Sequence, residues 1–298
     1  MSSPLVSIII PTFNREKELE RALNSVLSQS YTNWEACIID NNSSDNSINL
    51  INSYKDSRLK IYMIQNHGII AASRNLGVQN AKGKYLAFLD SDDWWSTRKL
   101  EESIKFLEKE DVGIIYHDMY IINKQNQKIF FKKTKSRDLY KPIFNDLIVN
   151  GNTLITSSVV LRKDIFTKIS GFNENKNYIA IEDYDAWLNL SINNEKFLKI
   201  SEVLGFYWLG GKNTSNPKKT IQTINSLEKK FKKNILELNL NEKTYWISYS
   251  RARAYYRSKM RDEAVSEFKR TLEKDPIFLI KYKTLFMLII LKVQRKYF

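Results

Sequence analysis

Three carboxylates fall within four residues at Asp90-Ser91-Asp92-Asp93, directly after the apolar run Leu86-Ala87-Phe88-Leu89. Crowding like charges is unfavourable unless something positive joins them. A hard divalent cation is the usual solution, with carboxylate oxygens as ligands. In open α/β sheets, ligands bind beyond the carboxyl ends of strands. An acidic turn capping the next helix would use the same residues, but four further clusters favour the metal.

Asp40 closes a second apolar run and is followed by Asn42, Ser43 and Asp45. This is an Asx-rich turn whose aspartate can accept hydrogen bonds from a base or ribose. Pro11-Thr12-Phe13-Asn14-Arg15 closes a third run. Phe13 can stack on a nucleobase and Thr12 and Asn14 can hydrogen-bond it; a plain strand-to-helix turn capped by Asn14 is the alternative. In Ala71-Ala72-Ser73-Arg74-Asn75, small residues permit close packing and the Arg74 guanidinium suits a phosphate or base, unless it is an ordinary surface arginine. Glu182-Asp183-Tyr184-Asp185-Ala186-Trp187 opens a helix. Acidic residues belong at helix N-termini in any case, but an aspartate there can also take a proton from an acceptor hydroxyl.

Elements that alternate must position these groups. Strands are expected at Val6–Ile10 (ended by Pro11), Glu35–Asp40, Leu59–Ile64 and Lys84–Leu89, and helices at Glu16–Gln29 and Ile69–Ala81. Strands apolar on both faces and joined by helices indicate a parallel sheet between helical layers. A helix with Leu100, Ile104 and Leu107 on one face follows, with Ser96 or Thr97 as its cap. Strands are expected at Val112–Ile122, Gln127–Phe131 and Ile155–Leu161, a basic loop and short helix over 132–150, and a helix at Glu182–Ile192. After residue 216 only helices are expected: Thr220–Leu238, Glu242–Ser258, Asp262–Lys274 and Pro276–Lys292. Ala252, Tyr255, Ala264, Phe268, Leu272 and Pro276 fit one tetratricopeptide-like helical hairpin. The division is residues 1–216 and 217–298.

Composition bounds the chemistry. The 298 residues are 43% hydrophobic and 27% charged, enough for a sizeable core. One cysteine, Cys37, excludes a disulfide framework or thiolate cluster, and two histidines, His67 and His117, leave little for a multi-His zinc site. No apolar run reaches the ~18 residues of a membrane span. No basic segment precedes Leu5–Ile10, so a secretory signal is not expected and a reducing, cytoplasmic setting is. The net charge is +14. Residues 212–298 hold 21 lysines and arginines against 8 carboxylates, a net of +13, which leaves +1 for residues 1–211.

Together, Val6-Ser7-Ile8-Ile9-Ile10-Pro11-Thr12-Phe13-Asn14, Ile39-Asp40-Asn41-Asn42-Ser43-Ser44-Asp45, Ser73-Arg74-Asn75-Leu76-Gly77, Phe88-Leu89-Asp90-Ser91-Asp92-Asp93-Trp94, Gly171-Phe172-Asn173-Glu174 and Glu182-Asp183-Tyr184-Asp185-Ala186-Trp187 resemble the family 2 glycosyltransferases, over roughly residues 5–215. The resemblance implies the GT-A fold, a Rossmann-like mixed sheet flanked by helices, here with an all-α C-terminal appendage. It implies inverting, metal-dependent transfer of one sugar from a nucleotide-diphosphate sugar (UDP by family frequency) to a lipid-linked or cell-surface glycan. By motif position Pro11, Thr12, Phe13, Asn14, Asp40, Asn42, Arg74, Asp90 and Ser91 would bind the nucleotide. Asp92 would bind Mg²⁺ or Mn²⁺, and Asp183 would be the base, supported by Glu182. The Gln-x-x-Arg-Trp pattern of processive members is absent. No histidine falls in Phe206–Ser215, so that segment supplies no His ligand; its Gly210-Gly211 turn would form a loop over the donor, with Lys212 a candidate diphosphate contact.

The other functional classes are a metal-dependent nucleotidyltransferase and a non-enzymatic module binding an anionic surface or nucleic acid. No groove-reading motif or aromatic platform supports nucleic acid. The apolar helix Ile277–Leu291 can pack as core or lie on a membrane. With the charge of residues 217–298, the second option would place the enzyme peripherally at the inner face of a bacterial cytoplasmic membrane.

Overall fold

The computed structural model describes residues 3–123, 132–193, 195–210 and 216–297. They form two compact units: residues 1–139, 153–174 and 182–212 in the first, and residues 140–152, 175–181 and 213–298 in the second. The sequence reading drew one boundary, after residue 216; the compact units divide discontinuously.

The first unit is built on an eight-stranded mixed sheet. Its strands are β1 (Val6–Thr12), β2 (Trp34–Asp40), β3 (Leu59–Met63), β4 (Tyr85–Phe88), β5 (Trp94–Trp95), β6 (Ile114–Ile122), β7 (Val160–Arg162) and β8 (Phe197–Trp208). Their order is β3-β2-β1-β4-β7-β6-β8-β5. The first four run parallel, β7 is antiparallel to β4 and β6, and β8 runs parallel to β6 with register shifts after His117 and Asp118. The helices are α1 (Glu16–Leu27), α2 (Ser47–Ser53), α3 (Ile70–Asn80), α4 (Lys99–Lys109), α6 (Lys163–Lys168) and α7 (Glu182–Ile192); α5 (Ile143–Asn150) belongs to the second unit. Ile8 and Ile10 bury one face of β1 with Leu19, Leu23 and Val26 of α1. On the other face α3 comes so close that a Cβ on Gly77 would lie 2.6 Å from Ile39 and 2.7 Å from Ile9. The small residues of α3 permit that approach, as expected.

Some local expectations are corrected. Pro11 does not end β1, which continues to Thr12 paired with Asp40. The Ile9 carbonyl accepts from Leu89 at 3.0 Å, so by alternation the Pro11 nitrogen faces the β4 side. β4 has ended at Phe88, opposite Ile9, and no ladder bond is lost. Neither Ser96 nor Thr97 caps α4 with its side chain. Gln29 Oε1 instead accepts the Leu100 N–H at 3.0 Å. The expected strand Ile155–Leu161 is a 3₁₀ turn, Thr156–Ser158, followed by the short β7. β5, β8 and α6 were not expected. The strand expected at Gln127–Phe131 lies outside the described residues.

The second unit is helical: α5, a 3₁₀ turn at Lys176–Tyr178, α8 (Pro217–Glu237), α9 (Tyr245–Arg257), α10 (Arg261–Glu273) and α11 (Phe278–Tyr297). Asn216 caps α8 by accepting the Lys218 N–H at 3.0 Å. Ala252, Ala264 and Phe268 of the hairpin pattern pack with Tyr249 and Leu291, so the pattern reports helix packing. Arg251 pairs with Glu228 of α8 and, at 3.4 Å, Glu267 of α10.

Candidate active site

β1, β2 and β4 are adjacent and parallel, so Thr12, Asp40 and the residues after Phe88 leave the sheet at one edge. Strand order reverses at this place: β2 and β3 extend to one side of β1 and β4 to the other. Such switch points open a crevice beyond the strand ends.

At the β1–β2 side, both Asp40 oxygens accept from Ser43, from its N–H at 2.8 Å and its hydroxyl at 2.5 Å. Ser43 Oγ accepts the Asn14 N–H at 2.9 Å, and Asn14 Oδ1 accepts the Ser44 N–H at 2.7 Å. The Asx turn read from sequence is therefore real, and Asn14 ties the two loops together rather than capping α1. Asn14 and Asn42 both have positive φ, at 50° and 54°, a region asparagine tolerates. Phe13 stands 52% exposed beside this network. Pro11 and Thr12 are buried, and Thr12 Oγ1 has no partner among the described residues.

Arg74 is buried, not a surface arginine. Its guanidinium donates to Glu182 Oε1 at 2.8 Å and to Asp90 Oδ1 at 2.7 Å, joining α3, α7 and the carboxylate motif. Burial opposes its charge, but Asp90 and Glu182 outweigh burial and hold its pKa above the ordinary value. Asn75, next on the helix, donates to the Phe172 carbonyl and to Glu174, both at 2.8 Å, and accepts the Phe172 N–H at 2.9 Å. Phe172 in turn packs edge-on against Phe88 and Trp187. The Gly171–Glu174 motif thus buttresses the site.

The three carboxylates of the motif diverge. Asp90 faces Arg74, and its N–H donates to Ser157 Oγ at 3.1 Å. Ser91 is buried between the aspartates. Asp92 lies 3.5 Å from Arg15, and its carbonyl accepts from Arg21 at 2.7 Å. Burial, then the neighbouring Asp90, raise the Asp92 pKa, with Arg15 pulling the other way. Asp93 is buried and accepts the Trp208 N–H at 2.9 Å, which ties the motif to the end of β8. Burial, Asp90 and Asp92 push its pKa well up. Arg21 lies over Trp94 at 3.7 Å and Trp208 at 4.6 Å, reinforcing this tie.

Asp183 opens α7, partly exposed. It accepts from Thr156 Oγ1 at 3.0 Å and from the Tyr184 N–H at 2.6 Å. Burial and the neighbouring Glu182 raise its pKa to about 6, against Arg74. A carboxylate so tuned is ionised at neutral pH yet basic enough to take a proton. The 3₁₀ turn serves both halves: Thr156 holds Asp183 while Ser157 holds Asp90 and Asp93. Ser157 also accepts the Trp95 indole N–H on its carbonyl at 2.7 Å.

The motif's donor set suits a hard cation. Asp90 and Asp92 keep 31% and 28% of their side chains exposed, and they crowd one another. Mg²⁺ and Mn²⁺ take one or two carboxylates together with phosphate oxygens and water. Among the described residues no three His, Cys, Asp or Glu side chains form a ready cage. Arg15, Arg21, Thr156, Ser157 and Tyr207 escaped the sequence reading. Tyr207 lies within electrostatic reach of Asp93, Asp90, Asp92 and Asp183, and burial followed by those charges raises its pKa. Only the aromatic run Phe206-Tyr207-Trp208 signalled it. Lys212 lies outside the described residues.

Comparison with known proteins bears on this crevice. The family model described as glycosyl transferase family 2 matches residues 7–170, more than half of the chain. WfgD of Escherichia coli, named as a UDP-Glc:alpha-D-GlcNAc-diphosphoundecaprenol beta-1,3-glucosyltransferase, is 34% identical over 195 residues, 65% of this chain and 72% of that protein. The crystal structure of S. aureus TarS residues 1–349 with UDP superposes with a TM-score of 0.60 at 18% identity, over 90% of each chain. The mannosyltransferase PcManGT of Pyrobaculum calidifontis, solved with GDP-Man and Mn²⁺, gives 0.56 at 15% identity, over 96% of this chain and 88% of that one. The last two establish the GT-A fold.

Proposed function

The chain belongs to glycosyl transferase family 2, and from that premise we propose that it moves one sugar from a nucleotide-diphosphate sugar, UDP-hexose foremost, to a hydroxyl of a lipid-linked or cell-surface glycan, with inversion. The observation that carries this reading is Arg74, which holds the metal-type carboxylate motif on one side and the helix that presents Asp183 on the other. WfgD, whose name gives UDP-glucose as donor and a diphosphoundecaprenol-linked sugar as acceptor, supports the donor class and the lipid-linked acceptor.

In this mechanism Phe13 stacks on the base, with Pro11 and Thr12 at its edge and Asn14, Asp40 and Asn42 shaping the pocket wall. The Thr12 hydroxyl is buried behind that wall, without a partner among the described residues. Asp90 and Ser91 take the ribose side, and Arg74 holds the Asp90 carboxylate in place. Asp92, with Asp90 beside it, would hold Mg²⁺ or Mn²⁺. A bound divalent ion supplies charge stabilisation to the departing diphosphate. Asp183 takes the proton of the acceptor hydroxyl, which typically contributes about 10²–10⁴-fold. Burial, then Glu182, itself fixed by Arg74, makes Asp183 basic. One base opposite the leaving group gives direct displacement, so no nucleophilic carboxylate is required.

No helix among the described residues is long and apolar enough to cross a membrane. A lipid-linked acceptor would be met at the bilayer surface, and we propose that residues 217–298, with 20 lysines and arginines against 8 carboxylates, hold the enzyme peripherally on an anionic cytoplasmic face. A panel of nucleotide sugars tests the enzyme reading. Nucleoside diphosphate should be released with Mg²⁺ or Mn²⁺ and not with EDTA. Pyrophosphate release instead would make the protein a nucleotidyltransferase.

A further inference from the structure

Helix α11 carries two apolar stripes. Ile280, Met287, Leu288 and Leu291 pack against the α9–α10 hairpin. Phe278, Leu279, Tyr282, Leu285, Phe286, Ile289 and Val293 are exposed, with Phe278 at 74%, Phe286 at 63% and Ile289 at 60%. At about 100° per residue the two stripes point in opposite directions, and Lys281 and Lys292 fall on one border of the exposed stripe and Lys283 on the other. The sequence reading posed core and membrane surface as alternatives, and the helix has a face for each.

An exposed apolar row of this length is unusual on a monomer and marks a contact surface. Its chemistry selects the partner. Residues 276–298 contain five lysines and arginines and no carboxylate. A second copy docking by the same face would bring lysine borders together with nothing in the segment to neutralise them. An anionic bilayer offers acyl chains to the stripe and phosphates to lysines that snorkel at its edges. Beside the helix, a cavity of about 640 Å³ is floored by Val265, Leu288 and Leu291 and rimmed by Arg261, Lys269 and Lys292 against one carboxylate, Asp262.

We infer that the outward stripe of α11 is a membrane-interface face that inserts at the headgroup–acyl boundary of an anionic bilayer. This deepens the proposal that residues 217–298 hold the enzyme at the membrane, and it names the surface that does so. The enzyme then lies on the bilayer with α11 parallel to its plane.

The test is co-sedimentation of the full chain with vesicles of phosphatidylcholine alone or mixed with phosphatidylglycerol. The parent should pellet with the mixed vesicles only, less at high salt. The double variant F286S/I289S should lose at least tenfold in partitioning at an unchanged melting temperature and unchanged donor turnover in detergent. Each of K281Q, K283Q and K292Q should lose about fivefold, since a lysine near an anionic surface contributes about 1 kcal/mol. A parent that stays in the supernatant overturns both this inference and the membrane proposal, and leaves the transferase reading intact. A double variant that pellets like the parent overturns this inference alone, assigning binding to other cations of residues 217–298. Concentration-dependent self-association that the double variant abolishes would assign the face to a second copy instead.

Discussion

Arg74 and Glu182 meet across 2.8 Å in a place closed to water, although 108 positions separate them. The remaining Arg74 arm reaches Asp90, so one guanidinium sets the distance between the carboxylate motif and the helix that presents Asp183. Breaking a buried pair by removing one partner is more costly than never having it, because the other charge is left uncompensated. The Arg74→Ala variant is therefore expected to lose about 3–5 kcal/mol of stability by urea denaturation. Arg74→Lys cannot span both partners with a fork and should fold while losing most of its turnover.

Asp183→Asn removes the proposed base and leaves a side chain of the same shape. Turnover should fall about 10²–10⁴-fold with donor binding retained. Because burial and Glu182 raise the Asp183 pKa, its ionisation opposes folding as pH rises through about 6. The variant should consequently melt no lower than the parent at pH 7.5, which separates loss of chemistry from loss of structure.

The same carboxylate fixes the pH profile. A base with a pKa of about 6 is active when deprotonated. The parent kcat should be flat above about pH 7 and fall about tenfold per unit below 6, while the residual rate of Asp183→Asn lacks that limb. A profile in the parent that rises toward acid would assign the titration to a general acid.

Asp93 bears on architecture. Its carboxylate receives the Trp208 N–H and the Ser157 hydroxyl. Asp93→Ala strands both, and each buried group left unsatisfied costs about 1–3 kcal/mol. Thermal melting should show the loss. Substrate binding should weaken as well, since Tyr207 lies within electrostatic reach of Asp93, Asp90, Asp92 and Asp183.

Phe13 is exposed where a base would stack. Removing an aromatic platform under a base typically costs about 1–3 kcal/mol. Phe13→Ala should therefore raise the donor KM from several-fold to about a hundredfold with little change in kcat. Stability should change far less than for a core phenylalanine, because about half of this residue is exposed.

The parallel half of the sheet was readable because its signals are local. Val6–Ile10, Glu35–Asp40 and Lys84–Leu89 are apolar runs ended by the residues that form the crevice, and each strand lies beside another of the same kind. The helices after residue 216 were readable for the same reason. β8 was not, because Phe197–Trp208 scatters Lys199, Ser201 and Glu202 among apolar residues without alternation and is interrupted by Gly205. Its pairing is with β6, some 80 residues earlier, through two register shifts. Gly205 has its reason in space: a Cβ there would crowd Met119 and the Trp94 carbonyl. The Thr156–Ser158 turn reads as strand because its neighbours are apolar. Its hydroxyls instead serve Asp90, Asp93 and Asp183, which no pattern within the segment reveals. Arg74 was singled out as a candidate ligand for phosphate or base, and its two carboxylate partners became visible only in the folded chain.

The most direct measurement is the stereochemistry and stoichiometry of the product made from an α-configured nucleotide sugar and a diphosphopolyprenol-linked sugar, read by NMR of the new linkage and by nucleotide analysis. The expected result is a β-linkage with one nucleoside diphosphate released per bond formed, lost in Asp183→Asn and in EDTA. An α-linked product, or full transfer by Asp183→Asn, would contradict the single-base displacement assigned to this site.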